Sequence, residues 1–149
     1  MKEKLLISAC LCGQNTKYNG GNNLSPRIQE IYDNFEVYLI CPESQGGLST
    51  PRNPSENIGD KVYSNIGLDV TEEFNRGAEV AVEIARNNNI KYALLKESSP
   101  SCGSNLVYDG TFSGVKIPGQ GVAAKKLIQA GLIIFNENQI DDLLSIIKR

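Results

Sequence analysis

The apolar residues of this chain fall into two kinds of pattern. Short apolar runs predict buried strands at residues 4–9, 36–40, 92–95 and 132–135. In residues 69–89 the apolar positions recur instead at steps of three and four, which predicts an amphipathic helix. Further helices are predicted from Pro26 onward, over 119–130 and over 136–148. Strands and helices therefore alternate along the chain.

This alternation predicts the fold class. Parallel strands need long crossover connections, so strands that alternate with helices indicate a mostly parallel sheet covered on both faces. We expect one Rossmann-like domain over residues 1–149, with three layers in the order α/β/α. Residues 14–23 and 46–61 are rich in Gly, Asn or Pro, and they are predicted to be loops.

Composition narrows the chemistry. The net charge is -2, and the longest basic run is Lys125-Lys126, so a polymeric nucleic-acid partner is not expected. The chain contains no histidine, which excludes Ser-His-Asp and Cys-His nucleophile pairs. Any metal must therefore be held by thiolates or oxygens, and any proton must be carried by another side chain.

The start of the chain resembles a lipoprotein cleavage box at Ile7-Ser8-Ala9-Cys10, but the apolar run of residues 5–9 is shorter than a signal peptide requires. No apolar run approaches the roughly 20 residues of a membrane span. We therefore expect a cytoplasmic protein without a membrane partner. In a reducing cytoplasm, four cysteines are expected to serve metal binding or catalysis rather than disulfides.

Three of the cysteines follow predicted strands. Cys10 comes after the first strand, Cys41 after the second, and Cys102 lies in the loop after the third. Loops at the carboxyl ends of parallel strands converge on one edge of a sheet, which predicts that the three thiols meet there. They suit either zinc with a water or carboxylate, or a cubane cluster with one open iron. The alternative is that they are small buried apolar residues, the role we assign to Cys12.

Polar residues near these cysteines are candidates for acid–base chemistry. Glu43 is a candidate proton carrier, and its alternative is an ordinary solvated acid. Ser99 and Ser101 precede Cys102, and their hydroxyls can contact a substrate or satisfy the backbone of a turn.

A glycine-bracketed turn precedes the helix predicted over 119–130. It consists of Gly119, Gln120 and Gly121. Free amides at such a helix start can bind a phosphate, although the same residues also suit a plain tight turn.

Several motifs together resemble one known family. They are Ser8-Ala9-Cys10-Leu11-Cys12-Gly13, Lys17-Tyr18-Asn19-Gly20, Cys41-Pro42-Glu43, Gly46-Gly47-Leu48-Ser49-Thr50-Pro51-Arg52, Lys96-Glu97-Ser98-Ser99-Pro100-Ser101-Cys102-Gly103, Tyr108-Asp109-Gly110-Thr111-Phe112 and Pro118-Gly119-Gln120-Gly121-Val122. The chain is identified on these motifs as similar to a bacterial family, formerly of unknown function, that includes the iron–sulfur-dependent thiouracil desulfidases in their single-domain form.

The resemblance implies a 4Fe-4S cluster on Cys10, Cys41 and Cys102, with the open iron acting as a Lewis acid. It implies an acid–base role for Glu43 and an assisting hydroxyl, placed on Ser99 first and Ser101 second. The implied activity is a non-redox desulfidase that removes sulfur as sulfide from a thiolated pyrimidine base or nucleotide of the 4-thiouracil type.

Two alternatives belong to other classes. The first is a zinc or redox thiol protein without desulfidase activity. The second is a non-enzymatic nucleotide-binding module that uses the 119–121 turn. If that turn binds phosphate, with Arg52 or Lys17 adding a charged contact, 4-thiouridine monophosphate should be used better than free 4-thiouracil.

Overall fold

The computed structural model describes residues 2–147 and contains eight strands within that range. They are β1 (Glu3–Ser8), β2 (Phe35–Ile40), β3 (Ser55–Ile58), β4 (Lys61–Ser64), β5 (Tyr92–Leu95), β6 (Leu106–Tyr108), β7 (Lys116–Pro118) and β8 (Ile133–Asn136). Four of them form a central sheet in the order β2-β1-β5-β8, and each neighbouring pair is parallel. The predicted parallel sheet is confirmed.

Helices cover both faces of this sheet. They are α1 (Ile28–Asn34), α2 (Pro42–Gln45), α3 (Thr71–Asn87), α4 (Val122–Gln129) and α5 (Ile140–Ile147), and a 3-10 turn spans Ala9–Cys12. Successive side chains of β1 point to opposite faces, as the pleat of a strand requires. Leu6 packs with α3 and α4, whereas Leu5 and Ile7 pack with α1 and α5. The predicted three-layer α/β/α arrangement is therefore confirmed. In residues 2–147, no helix combines the length and the apolar character that crossing a membrane requires.

Helix α3 holds the short helix α2 through a close backbone contact. Gly77 of α3 lies against Pro42, and a Cβ at this glycine would overlap the Pro42 carbonyl oxygen. On the other side of the contact, a Cβ at Gly46 would overlap the carbonyl oxygen of Glu73. Because α2 directly follows Cys41, this contact fixes the backbone next to that cysteine.

Three predicted helices begin later than expected. The helix expected from Pro26 begins at Ile28, because Ser25 Oγ accepts the Arg27 N–H and forms a turn first. The helix predicted over 119–130 begins only at Val122. The last helix, predicted over 136–148, begins at Ile140, and Lys148 lies outside the described residues.

The loop prediction for 46–61 is wrong in its second half. Strand β3 and the start of β4 lie there, and the two strands form an antiparallel hairpin. A second hairpin, β6 with β7, was not predicted at all. None of these four strands carries an apolar run of four residues like those that predicted β5 and β8, so their pairing depends on the partner strand. Residues 14–23 are irregular, as predicted.

Candidate active site

Three cysteines line one cavity at the carboxyl edge of the sheet. Cys10 lies in the 3-10 turn after β1, Cys41 lies between β2 and α2, and Cys102 lies in the loop after β5. The cavity has a volume of about 480 Å³, which falls in the range of small-molecule sites. Cys12 packs instead in the apolar cluster beneath α1 and α5. The strand ends thus bring together the three thiols that the sequence singled out.

The cavity thiols are reduced and differ in exposure: Cys102 is buried, whereas Cys10 and Cys41 are half-buried. All four cysteines of the chain are free. Burial raises the pKa of Cys102 to about 12, and hydrogen bonds from Ser8 and Ser101 only partly oppose this effect. Burial also raises the pKa of Cys10, although Asn23 Nδ2 donates to its Sγ at 3.4 Å and lowers it. Such thiols are poor nucleophiles at neutral pH, but a bound cation would displace their protons.

The spread of these thiols bears on which metal they fit. Tetrahedral zinc, with Zn–S bonds of about 2.3 Å, would bring its sulfurs to within about 3.8 Å of one another. Within residues 2–147, no three Cys, Asp or Glu side chains converge closely enough to share one ion. A cubane cluster binds each thiolate through a different iron. Its thiolate ligands can therefore lie farther from one another than the ligands of a single ion. Three thiolates around one cavity are the donor set of a cubane cluster that leaves one iron open.

Glu43 lies in the first turn of α2 and faces the same cavity. Its Oε1 accepts a hydrogen bond from Arg52 Nε at 3.2 Å, and its Oε2 accepts one from Ser101 Oγ at 3.0 Å. The side chains of Glu43 and Arg52 are only 14% and 8% exposed. Glu43 is thus part of a buried, hydrogen-bonded group, and its interpretation as a solvated loop acid is wrong.

The two candidate serines have different partners. Ser99 Oγ accepts the backbone N–H groups of Ser101 and Cys102, each at 3.2 Å, and lies 3.0 Å from Ser101 Oγ. A carboxylate only accepts hydrogen bonds, so the Ser101 hydroxyl donates to Glu43 and the Ser99 hydroxyl donates to Ser101. Ser101 Oγ also lies 3.6 Å from Cys102 Sγ. The structure therefore places Ser101, rather than Ser99, next to both the acid and the thiol.

A buried carboxylate that the sequence did not single out organises the Cys102 loop. Glu97 accepts the backbone N–H groups of residues 98, 104, 105 and 106, and also the side-chain amide of Asn136 at 2.7 Å. Burial by itself would raise the pKa of Glu97, but the backbone donors outweigh it and lower the pKa. By accepting these backbone amides, the Glu97 carboxylate fixes the conformation of the loop. Only its place before a serine-rich loop could have drawn attention to it.

Most amides at the 119–121 turn and the start of α4 already have protein acceptors, so they do not form the set of free amides that phosphate binding requires. Gly121 N–H donates to the Gly103 carbonyl at 2.7 Å, and the next two amides donate to the carbonyls of Pro100 and Ser101. A Cβ at Gly121 would also overlap the backbone of Ser101. The start of α4 therefore binds the Cys102 loop instead of an anion. Gly119 and Gln120 line a separate shallow pocket.

Three lysines also line the thiol cavity, and one of them, Lys96, pairs with Glu137. Neither Lys17 nor Lys116 forms an ion pair among the described residues, and Lys116 Nζ lies 5.5 Å from the centre of the Tyr108 ring. Arg52 is not available in the same way, because its guanidinium binds Glu43. A charged contact between Lys17 and the substrate therefore stays a prediction. Arg52 binds Glu43 instead of a substrate.

The sheet edge of this Rossmann-like α/β protein combines three thiols with a buried acid–hydroxyl pair. Together these groups have the features of a thiolate-ligated metal site that stays open to a substrate. Comparison with known proteins makes the assignment specific. The 2-thiouracil desulfurase family matches residues 5–139, and the chain belongs to this family.

Two individual proteins resemble the chain over nearly its whole length. The first is the uncharacterized protein YbbK of Bacillus subtilis (strain 168), which is 42% identical over 150 residues that cover 94% of this chain and 99% of YbbK. The second is a solved structure of the 4Fe-4S-dependent thiouracil desulfidase TudS. It is also 42% identical, covers 99% of both chains and superposes with a TM-score of 0.93. The family and fold predicted from the sequence are both confirmed.

Proposed function

We propose that this protein is an iron–sulfur-dependent desulfidase that removes the sulfur of a thiolated pyrimidine as sulfide. The observation that carries the proposal is the meeting of three thiols, one buried and two half-buried, with the Glu43–Ser101 pair in one cavity. Membership of the 2-thiouracil desulfurase family and the likeness to TudS support the same activity. Four free cysteines suit the cytoplasm, where thiols stay reduced.

In this proposal Cys10, Cys41 and Cys102 hold a 4Fe-4S cluster. With three thiolates for four irons, such a cluster supplies one iron that can bind a thiocarbonyl sulfur and polarise the C–S bond as a Lewis acid. The protein contributes a hydrogen bond to one of these ligands, because Asn23 Nδ2 donates to Cys10 Sγ at 3.4 Å. Donors of this kind orient thiolate ligands and adjust their basicity.

The proton chemistry falls to Glu43 and Ser101. Water attacks the ring carbon that carries the sulfur, and the Glu43 carboxylate accepts the proton of that water. Ser101, which donates to Glu43 Oε2 in the resting site, steadies the oxygen that becomes bonded to carbon. The C–S bond then breaks, the proton held by Glu43 and the remaining hydroxyl proton of the attacking water both go to the departing sulfur, and the products are the oxo-pyrimidine and hydrogen sulfide. One water is consumed and no electron is transferred, so the reaction is a hydrolysis.

The form of the substrate follows from charge. Lys17 and Lys116 line the cavity without acidic partners among the described residues, so they can bind an anionic group that a free base lacks. On this ground we propose that a thiolated nucleotide is used better than the free base. The phosphate would lie near these lysines, since the amides at the start of α4 are already bonded.

The test is anaerobic reconstitution of the protein with iron and sulfide, followed by a sulfide-release assay. The panel comprises 4-thiouracil, 4-thiouridine and 4-thiouridine monophosphate, and the control is the same protein loaded with zinc. We expect sulfide and the oxo-pyrimidine in equal amounts, and only with the iron-loaded protein. Equal activity of the zinc-loaded protein, or no release from any of the three compounds, would contradict the proposal.

A further inference from the structure

Arg52 is buried at the junction of three segments that surround the cavity. Its side chain is 8% exposed and uses most of its five N–H donors. The guanidinium donates to Glu43 Oε1 at 3.2 Å, to Ser49 O at 3.2 Å, to Thr50 Oγ1 at 2.8 Å and to Thr16 O at 2.8 Å. Its backbone N–H donates to Tyr18 O at 2.7 Å. A side chain held this firmly has a defined position.

The bond to Glu43 divides the two oxygens of one carboxylate between two donors. Arg52 binds Oε1 and Ser101 binds Oε2, so the plane of the carboxylate is fixed from both ends. The terminal torsion of a glutamate has broad minima and is easily rotated when one end is released. Without Arg52, the Ser101 hydrogen bond alone would orient the carboxylate, and Oε2 would be held less firmly.

The same guanidinium also links Glu43 to the loop next to Cys41, one of the predicted cluster ligands. Thr16 O, which accepts from Arg52 Nη2 at 2.8 Å, lies 3.9 Å from Cys41 Sγ. Arg52 therefore joins the acid to the loop that borders this thiol. A planar, forked cation is required for this arrangement, because a lysine ammonium cannot reach all of these acceptors at once.

We propose that Arg52 is a positioning residue, which holds Glu43 so that Oε2 faces Ser101 and the reacting water. The inference rests on the proposed function, because the proton transfer that it serves is the one assigned there to Glu43. If Arg52 only positions Glu43, replacing Arg52 lowers turnover only when Glu43 is present. If Arg52 instead has a general structural role, replacing it lowers turnover whatever residue occupies position 43.

A double-mutant cycle separates these two roles. Glu43→Gln, Arg52→Gln and the double variant are compared in kcat per cluster, with the cluster content of each taken from its visible absorbance. We expect Arg52→Gln alone to lower kcat by about 10²-fold, the usual effect of displacing a reacting group by about 1 Å. KM should change far less, because the loss concerns the reacting step. In the Glu43→Gln background, the same change should alter kcat by less than about twofold.

Arg76→Gln is the matched control. Arg76 also donates to the loop before Arg52, through Gly46 O at 2.8 Å, but it makes no contact with Glu43. We expect this variant to keep its kcat. Arg52→Lys should recover part of the turnover lost in Arg52→Gln, since the charge is kept while the fork is lost. If Arg52→Gln does not accumulate as folded protein, the same cycle is run with Arg52→Lys.

Each outcome has one meaning. Effects of Arg52 and Glu43 that multiply in the double variant would overturn the positioning role, and so would a normal kcat per cluster in Arg52→Gln. Both results leave the proposed function intact if the wild type releases sulfide. A wild type that releases none refutes the proposed function itself, and the role of Arg52 with it.

Discussion

The contact between α3 and α2 predicts a distant effect of a one-carbon substitution, Gly77→Ala. Alanine is favoured over glycine inside a helix by about 1 kcal/mol, so a contact-free site would be stabilised. At Gly77, however, the added Cβ would overlap backbone atoms of Pro42, far inside the 3.0 Å limit that real Cβ atoms respect. No rotation of a side chain relieves such an overlap, and the two helices must separate by more than about 1 Å.

The energetic outcome can be estimated from two opposing effects. Overpacking of a tight contact costs typically about 1–3 kcal/mol, and it acts here between two backbones, where relaxation is least available. After the gain in helix propensity, we expect a net loss of up to about 2 kcal/mol in the free energy of unfolding. For a chain of this length, such a loss lowers the melting temperature by about 4–8 °C. Because Glu43 lies in α2, kcat should also fall, by about 10²-fold.

The assay combines thermal unfolding followed by circular dichroism with sulfide release per cluster. Gly67→Ala is the control, since Gly67 has a φ of 83° but open space around its Cβ position. This control should lose stability through backbone strain while it keeps its turnover. A Gly77→Ala protein with an unchanged or higher melting temperature and full activity would refute the reasoning, because α2 would then not be held by this contact.

Three further predictions concern the cavity. Replacing Cys10, Cys41 or Cys102 by Ser should abolish the brown chromophore and the activity, whereas Cys12→Ser should keep both; bleaching by Cys12→Ser alone would show that the ligand set is wrong. Ser101→Ala should lower kcat by about 10²-fold, while Ser99→Ala, which leaves two amides unpaired, should mainly cost about 1–3 kcal/mol of stability, measured by denaturant unfolding. Lys116→Ala should raise KM for 4-thiouridine monophosphate by about two- to fivefold without affecting that for 4-thiouracil, and equal effects on both would remove the phosphate contact.

The central sheet and its main helices were predictable because the apolar positions of each element follow a regular pattern that its burial requires. The apolar steps in α3 face α4 and the sheet, and the apolar run of β1 is buried on both faces. The hairpins β3–β4 and β6–β7 were not predictable in the same way. Their strands contain no apolar run of four residues like those that predicted β5 and β8, and each is defined by the strand opposite it.

The positions of the three cavity cysteines also followed from the sequence, since topology places the loops after parallel strands at one edge. The choice between Ser99 and Ser101 did not. The two serines lie two positions apart in a loop without periodicity, and their partners are set by long-range contacts. Ser101 meets Glu43 across 58 residues, and Arg52 meets Thr16 across 36.

The anion site expected at residues 119–121 is a second case in which long-range contacts, and not the local sequence, decide the bonding partners. A glycine-bracketed helix start has identical local chemistry whether its amides meet a phosphate or a neighbouring loop. In this fold those amides bond to the carbonyls of Pro100, Ser101 and Gly103, because the Cys102 loop, which Glu97 holds in shape, lies against them. Local pattern is therefore enough to identify the groups that can bond, whereas the packing of distant loops selects which of those groups meet.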